Sequence, residues 1–374
     1  MKLIEKIFSI KNKDYRKIIT ILGLRFKFKN KLKMLEHKLS SLEKEKNDIQ
    51  KRLKIQEDRN LSHSKTVGVL NREKNLANMR FNYLIDKLGQ EDLKDIVLQQ
   101  KFFYTDNEYD LDFKNPKTFN EKIHWLRKHY LLDNSLTDMI SDKLQFKTYI
   151  TEKLGAEYVV PLIGKWEDPR DIDWDALPDK FVLKSNWGGD GTQVWIVKDK
   201  SKLDISATLK KLREWISSWG NPYYYAFTPI FKNIKPCIIA EEYVEGLGSK
   251  FYDYKIFCFN GKPELIYVAS NWVVEHKMSY YDTSWNKLDL IYSNYESFDM
   301  PKPDNLDKML EIAAKLSMEF PFVRVDFFDL KDKVVLAEMT FTPGGGFGRY
   351  DPVEWDYKLG EMLDISELME KKDA

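Results

Sequence analysis

Cysteine is nearly absent from this 374-residue chain, which carries only Cys237 and Cys258. Each sits in a short apolar run without metal-ligand spacing, so disulfide frameworks and thiolate zinc sites are excluded and buried, reduced thiols are expected. A cytosolic compartment follows from that reading. Histidine is scarce too. His37, His63, His124, His129 and His276 show no metal or triad partner, and single surface histidines are expected. No stretch approaches the roughly 20 apolar residues of a membrane span. The longest N-terminal apolar run, 18–24, is followed by Arg25, Lys27 and Lys29, the reverse of a secretory signal. A phosphate loop with lysine after its glycines is also missing. Net charge is only +1, divided as +9 over residues 1–34 and −8 over the rest. A mildly acidic body excludes a general nucleic-acid role.

What is present suits a globular protein: 43% of residues are apolar and 14% aromatic, too many for a disordered chain. Residues 1–30 interleave Ile and Phe with Lys and Arg, a basic amphipathic arm suited to an anionic membrane surface or to packing on a partner. Residues 31–75 read as a coiled coil and linker. Leu32, Leu39 and Leu53 share one seam position, and Leu35, Leu42 and Ile49 share the other. Lys46 falls in the seam and weakens it, so homodimer pairing and folding back both stay open. The aromatic-rich body runs from 76 to 374. Helices are expected at 120–130, at 141–154 ending on Gly155, and at 305–319 with Asp304 as N-cap. Strands are expected at 181–184, 194–197, 237–243, 254–259 and 265–269, with Asn260-Gly261 as a hairpin turn.

Three segments carry chemistry. In the first, a strand delivers Lys184 to a turn containing Gly188, Gly189, Gly191 and Thr192; glycine amides can converge on a phosphate, and a plain hairpin turn is the alternative. In the second, alternation puts Arg324 with Asp326 on one strand face and Glu338 with Thr340 on one face of the returning strand. Pairing brings Asp326 almost opposite Glu338. Facing carboxylates repel unless a cation intervenes, and magnesium uses one or two carboxylates beside nucleotide phosphates. In the third, Gly344, Gly345, Gly346 and Gly348 follow a strand, giving either a backbone that something approaches closely or a flexible loop.

Lys184 with its glycine turn, Glu241-Glu242-Tyr243-Val244-Glu245-Gly246, Arg324-x-Asp326 and Glu338-x-Thr340-x-x-Pro343-Gly344 occur in the order found in the ATP-grasp superfamily. Asn115-Pro116-Lys117-Thr118-Phe119-Asn120-Glu121-Lys122, Asp142-Lys143, Tyr254-Lys255-x-Phe257-Cys258-Phe259-Asn260-Gly261 and Phe341-Thr342-Pro343-Gly344-Gly345 resemble its TupA-like branch, named for teichuronopeptide biosynthesis. The resemblance covers roughly 100–360. It implies an α/β (α+β) fold, with two subdomains clasping ATP and a glycine-rich lid at about 156–245.

It further implies that Lys143 and Lys184 contact ATP phosphates, that residues 188–192 form the lid, and that Glu241, Glu242, Tyr243 and Val244 flank adenine. Asp326, Glu338 and Thr340 would hold magnesium; Arg324, helped by Lys255, would stabilise the reacting acyl phosphate. Many superfamily members carry Asn where this chain has Thr340. Gly344, Gly345 and Gly346 are candidates for the substrate. The implied activity is a carboxylate–amine ligase joining a sugar carboxylate to a small amine or amino acid at the inner face of the membrane. A sugar kinase and a non-catalytic adaptor are the competing readings. Tyr223, Tyr224, Tyr225 and Trp272 fit either a sugar platform or core.

Overall fold

The computed structural model describes residues 8–13, 16–21 and 24–27, isolated positions from 78 to 86, and 91–373 except 104, 106, 108, 189–191, 245–251, 271–276, 294 and 331–332. The chain divides into two units, 1–90 and 91–374. In the first, β1 (Phe8–Lys13), β2 (Arg16–Ile21) and β3 (Leu24–Lys27) form an antiparallel meander, so the basic arm has a strand backbone. The expected coiled coil lies outside the described residues.

The second unit opens with α1 (Glu91–Phe103), α2 (Phe119–His129), α3 (Ser135–Ser141) and α4 (Lys143–Lys153). Thr118 and Glu121 close a capping box at the start of α2, each side chain taking the other's backbone N–H. The helix expected over 141–154 is α4, and a separate short helix, α3, ends just before it. Asp142 adopts an extended backbone and its carboxylate accepts the Leu144 N–H at 2.9 Å, restarting the helix. The Lys143 N–H, an orphan at that new start, is taken by the Asn186 carbonyl at 2.8 Å. Gly155, at φ 125°, follows the last turn as expected, its N–H bonded to the Thr151 carbonyl.

A four-stranded antiparallel sheet follows, ordered β4 (Leu162–Trp166), β7 (Ile238–Glu242), β5 (Phe181–Ser185), β6 (Val194–Val197). Between β6 and β7 lies α5 (Ile205–Trp215), whose Leu212 and Trp215 pack on Phe181, Leu183, Ile238 and Ala240. By alternation, Lys184 and Glu241 point away from that core.

The second sheet has the order β10 (Met278–Asp282), β9 (Lys262–Ser270), β8 (Tyr252–Phe259), β12 (Phe322–Asp329), β13 (Val334–Thr340), while β11 (Ile291–Tyr292) pairs outside it with Tyr350–Asp351. Asn260 (φ 48°) and Gly261 (φ 82°) make the β8–β9 turn, both left-handed as a two-residue hairpin demands. One face of this sheet, with Ile256, Cys258, Val323, Val325 and Phe327, packs on α6 (Leu306–Ser317). The other, with Phe257, Phe259 and Phe322, meets Phe119 and Ile123 of α2 and Leu359 of α7 (Glu354–Met362). Both cysteines are buried and free. The expected N-cap of α6 is not Asp304 but Asn305, and its side chain donates to Asp329 at 2.7 Å instead of capping.

Candidate active site

The β12–β13 hairpin has the register the alternation predicts: Asp326 pairs with Glu338 and Arg324 with Thr340. A bulge follows at once, leaving Ala337 without a partner before Phe327 pairs with Leu336. On the other side β8 sets Lys255 opposite Asp326. The Arg324 guanidinium forks onto Asp326 at 2.7 and 2.6 Å and reaches Glu338 at 3.2 Å and the Thr340 hydroxyl at 3.1 Å. Lys255 donates to Asp326 at 2.7 Å and to Asp253 at 3.0 Å. Three acids and two bases thus alternate across one sheet face.

Burial sets the energetics of this cluster. Asp326 is 0% exposed, and full burial raises its pKa against the pull of Arg324 and Lys255. Burial also pushes Glu338 up, but Lys143, Arg324 and Lys255 outweigh it and hold that carboxyl at about 2. For Lys255, burial alone would lower the pKa; Asp253 and Asp326 reverse the sign.

A second cluster stands beside the four-stranded sheet. Lys184 reaches Glu241 at 2.5 Å, and Lys147, from α4, reaches the other oxygen of the same carboxylate at 2.8 Å. Burial would raise Glu241, yet Lys184 and Lys147 bring it to about 2. Lys143 bridges the two sheets, donating to the Gly188 carbonyl after β5 and lying 3.5 Å from Glu338 on β13. Gly188 is buried, and a Cβ there would stand 2.8 Å from Gln193.

The structure therefore brings together Arg324, Asp326, Glu338, Thr340, Lys255 and Lys143, and separately Lys184 with Glu241. Glu242 and Thr192 are exposed, and Tyr243 and Val244 half-buried. Residues 189–191 and Trp272 lie outside the described residues. Tyr223 and Tyr224 are core. Lys147 and Asp253 escaped the sequence reading. Asp253 carried a signal, since it stands two residues before Lys255 on one strand face; Lys147 carried none, because its partner is remote in sequence.

The close approach expected at the glycine loop is made by the chain itself. Gly344, Gly345 and Gly346 have φ of 57°, 69° and 76°. A Cβ on Gly344 would meet the Tyr292 hydroxyl at 2.4 Å, and one on Gly346 the His124 ring at 3.0 Å. Gly344→Ala is expected to cost at least about 1–2 kcal/mol from left-handed strain alone, read as a lower urea midpoint; an unchanged midpoint would mean that Gly344 is not held left-handed. The surface expectation fails for His124, which is 1% exposed because α2 turns it into this loop.

Among the described residues no group of three or more His, Cys, Asp or Glu could hold a metal ion. Asp326, Glu338 and the Thr340 hydroxyl nevertheless offer hard oxygen donors on one face. Magnesium bound with one or two carboxylates plus phosphates matches that set, whereas a metal needing a full protein cage does not.

A family model, TupA-like ATPgrasp, matches residues 121–364. No curated protein matches. Among solved structures, D-alanine–D-alanine ligase from Bacillus anthracis is 16% identical, over 63% of this chain and 70% of that one, with a TM-score of 0.37. N5-carboxyaminoimidazole synthetase from Staphylococcus aureus, complexed with ADP, is 16% identical over 54% and 44%, with a TM-score of 0.31. A RimK domain ATP-grasp protein from Sphaerobacter thermophilus is 9% identical over 64% and 69%, with a TM-score of 0.33. The family match spans well over half of this chain, which belongs to the TupA-like ATP-grasp family.

Proposed function

We propose that this chain is an ATP- and magnesium-dependent ligase that joins a carboxylate, on a hexuronic acid of a bacterial surface polysaccharide or its precursor, to a small amine. The observation that carries the reading is Lys143, which touches both the glycine turn beside Lys184 and the Glu338–Arg324–Asp326 cluster. Cations suited to a triphosphate thus adjoin acids suited to a divalent ion.

Magnesium held by Asp326, Glu338 and Thr340 would offset phosphate charge. Lys143 and Lys184 bind and orient the phosphates, and Glu241 holds Lys184 in place. A carboxylate oxygen of the substrate attacks the γ-phosphorus; the new O–P bond forms as the bond to the β-phosphate oxygen breaks, releasing ADP. Arg324 would stabilise the charge that grows as the amine nitrogen attacks the acyl carbon. The C–N bond forms, phosphate leaves with the C–O electrons, and the amine gives up a proton. The arm at 1–30, at net positive charge, would hold the enzyme against an anionic inner membrane face.

The test is ADP and phosphate release from Mg-ATP with a panel of uronic acids and a panel of amines. Release that needs both, with loss of Lys184→Ala activity recovered in part by raising Mg-ATP, is expected. ADP with sugar alone and a stable phosphosugar product would make it a kinase. Failure to bind ATP would leave the adaptor.

A further inference from the structure

Asn120, His124 and Arg127 form a polar stripe on α2 that the proposed chemistry leaves unused. Their spacing puts them on one helix face, and they are 1%, 1% and 3% exposed. Each reaches a carbonyl of the glycine loop. Asn120 Nδ2 donates to Gly348 at 2.7 Å, His124 Nε2 meets Gly346 at 2.8 Å, and Arg127 donates to Gly345 at 3.3 Å.

The partners fix the imidazole. A carbonyl only accepts, so Nε2 of His124 carries the proton. Nδ1 must then accept, and it does so from the Arg127 guanidinium. Burial, followed by the charges of Arg127 and Lys101, pushes the His124 pKa well below its ordinary value, against the Gly346 bond. The ring is neutral and locked in one tautomer.

Arg127 is the less economical choice of donor. Among the described residues it makes no ion pair, and burial lowers its pKa to about 9, with Asp95 opposing. A buried charge without a paired carboxylate costs several kcal/mol, and an apolar residue of similar volume is often neutral or stabilising in its place. A neutral amide would hold the carbonyl without that cost. Because peptide groups are planar and trans, carbonyls of 345, 346 and 348 turned toward α2 send the following N–H groups away from it; that of Phe347 is taken by the Gly344 carbonyl at 3.4 Å, so those of Gly346 and Arg349 are the donors in question. A cation on the carbonyl side polarises the peptide and strengthens its N–H as a donor.

We infer that Asn120, His124 and Arg127 are positioning residues that fix and polarise the glycine loop, so that its amide side faces the anionic reacting group of the carboxylate substrate. The substrate part of this inference rests on the ligase reading; the loop geometry does not.

The test has two arms on the full chain. In the first, ¹⁵N-histidine NMR of the wild type is expected to show His124, assigned through His124→Gln, as Nε2–H with no titration from pH 5 to 8. In Arg127→Met, His124 loses its Nδ1 donor, so its Nδ1 resonance should shift while burial keeps the ring neutral. A wild-type Nδ1–H signal, or ordinary titration, overturns the inference. In the second arm, Arg127→Met should leave the unfolding midpoint unchanged or raised while ADP formation falls about tenfold or more. His124→Gln, which keeps a donor and an acceptor, should retain more activity than His124→Phe. Stability and activity falling together in Arg127→Met would reduce the stripe to packing and overturn its positioning role. If no panel yields ADP, the ligase reading fails, while the histidine signals still decide the loop geometry.

Discussion

Asp326→Asn is expected to lose ADP formation by about a thousandfold and to destabilise the fold by about 3–5 kcal/mol, the cost of stranding a buried countercharge. Both effects arise from one carboxylate. It is 0% exposed, takes both arms of the Arg324 fork, and accepts from Lys255. The amide has almost the same shape but cannot offset two buried cations. Urea unfolding at pH 7 reads the stability loss; ADP release, assayed where the variant is still folded, reads the catalytic one. Adding Lys255→Met separates the two. Lys255 keeps only Asp253 in that background, and the second change removes the cluster's excess positive charge, so stability should partly return while activity does not. Near-normal turnover in Asp326→Asn would take Asp326 out of the proposed machinery.

Glu241→Gln is the second large effect, and its signature is in acid. The wild-type carboxyl falls from 4.5 to about 2 because Lys184 and Lys147 outweigh its burial. A carboxyl depressed in the folded state contributes stability that is fully present above pH 4.5 and is lost as pH falls toward 2. That depression corresponds to about 3 kcal/mol. The glutamine variant should be less stable at pH 7 by a similar amount, and its stability should fall less steeply between pH 4.5 and 2. Some slope remains, since Glu338 is depressed in the same window. Urea midpoints at pH 7, 4.5 and 3 decide the point. Parallel wild-type and variant profiles would mean that Glu241 does not gain from its lysines on folding.

Legibility in the sequence tracked the range of the interaction. The β12–β13 register was readable because alternation and a short turn leave few ways to pair two apolar runs, and Asp326 does face Glu338. The Asn260-Gly261 turn was readable because few residues tolerate its two left-handed positions. The bulge at Ala337 was not, since no glycine marks it. The helix start at Asp142 was readable to within two residues, and its cap bond to Leu144 sets it, but the short α3 before it was not foreseen. Lys147 needed the fold to meet Glu241. His124 looked like surface, and Arg127 went unread, because helical spacing tells which residues share a face, not what that face meets. Here it meets the carbonyls of a loop more than two hundred residues away in sequence.

Apart from Asn120, which fixes the glycine loop, the segment from Thr118 to Lys122, among the motifs of the resemblance, makes only bonds internal to the fold. Thr118 and Glu121 cap α2, Asn120 joins Asp356 to the glycine loop, and Lys122 takes the last carbonyls of α7 at Gly360 and Leu363. None of these side chains touches the Asp326 cluster. Signature and chemistry are therefore separable under mutation. A relative could keep Thr118 to Lys122 intact, fold and score as a family member, and yet be a pseudoenzyme through changes at Asp326 or Lys184. Sorting active from inactive members of such a family calls for inspecting the charge pairs, not the motif that flags membership.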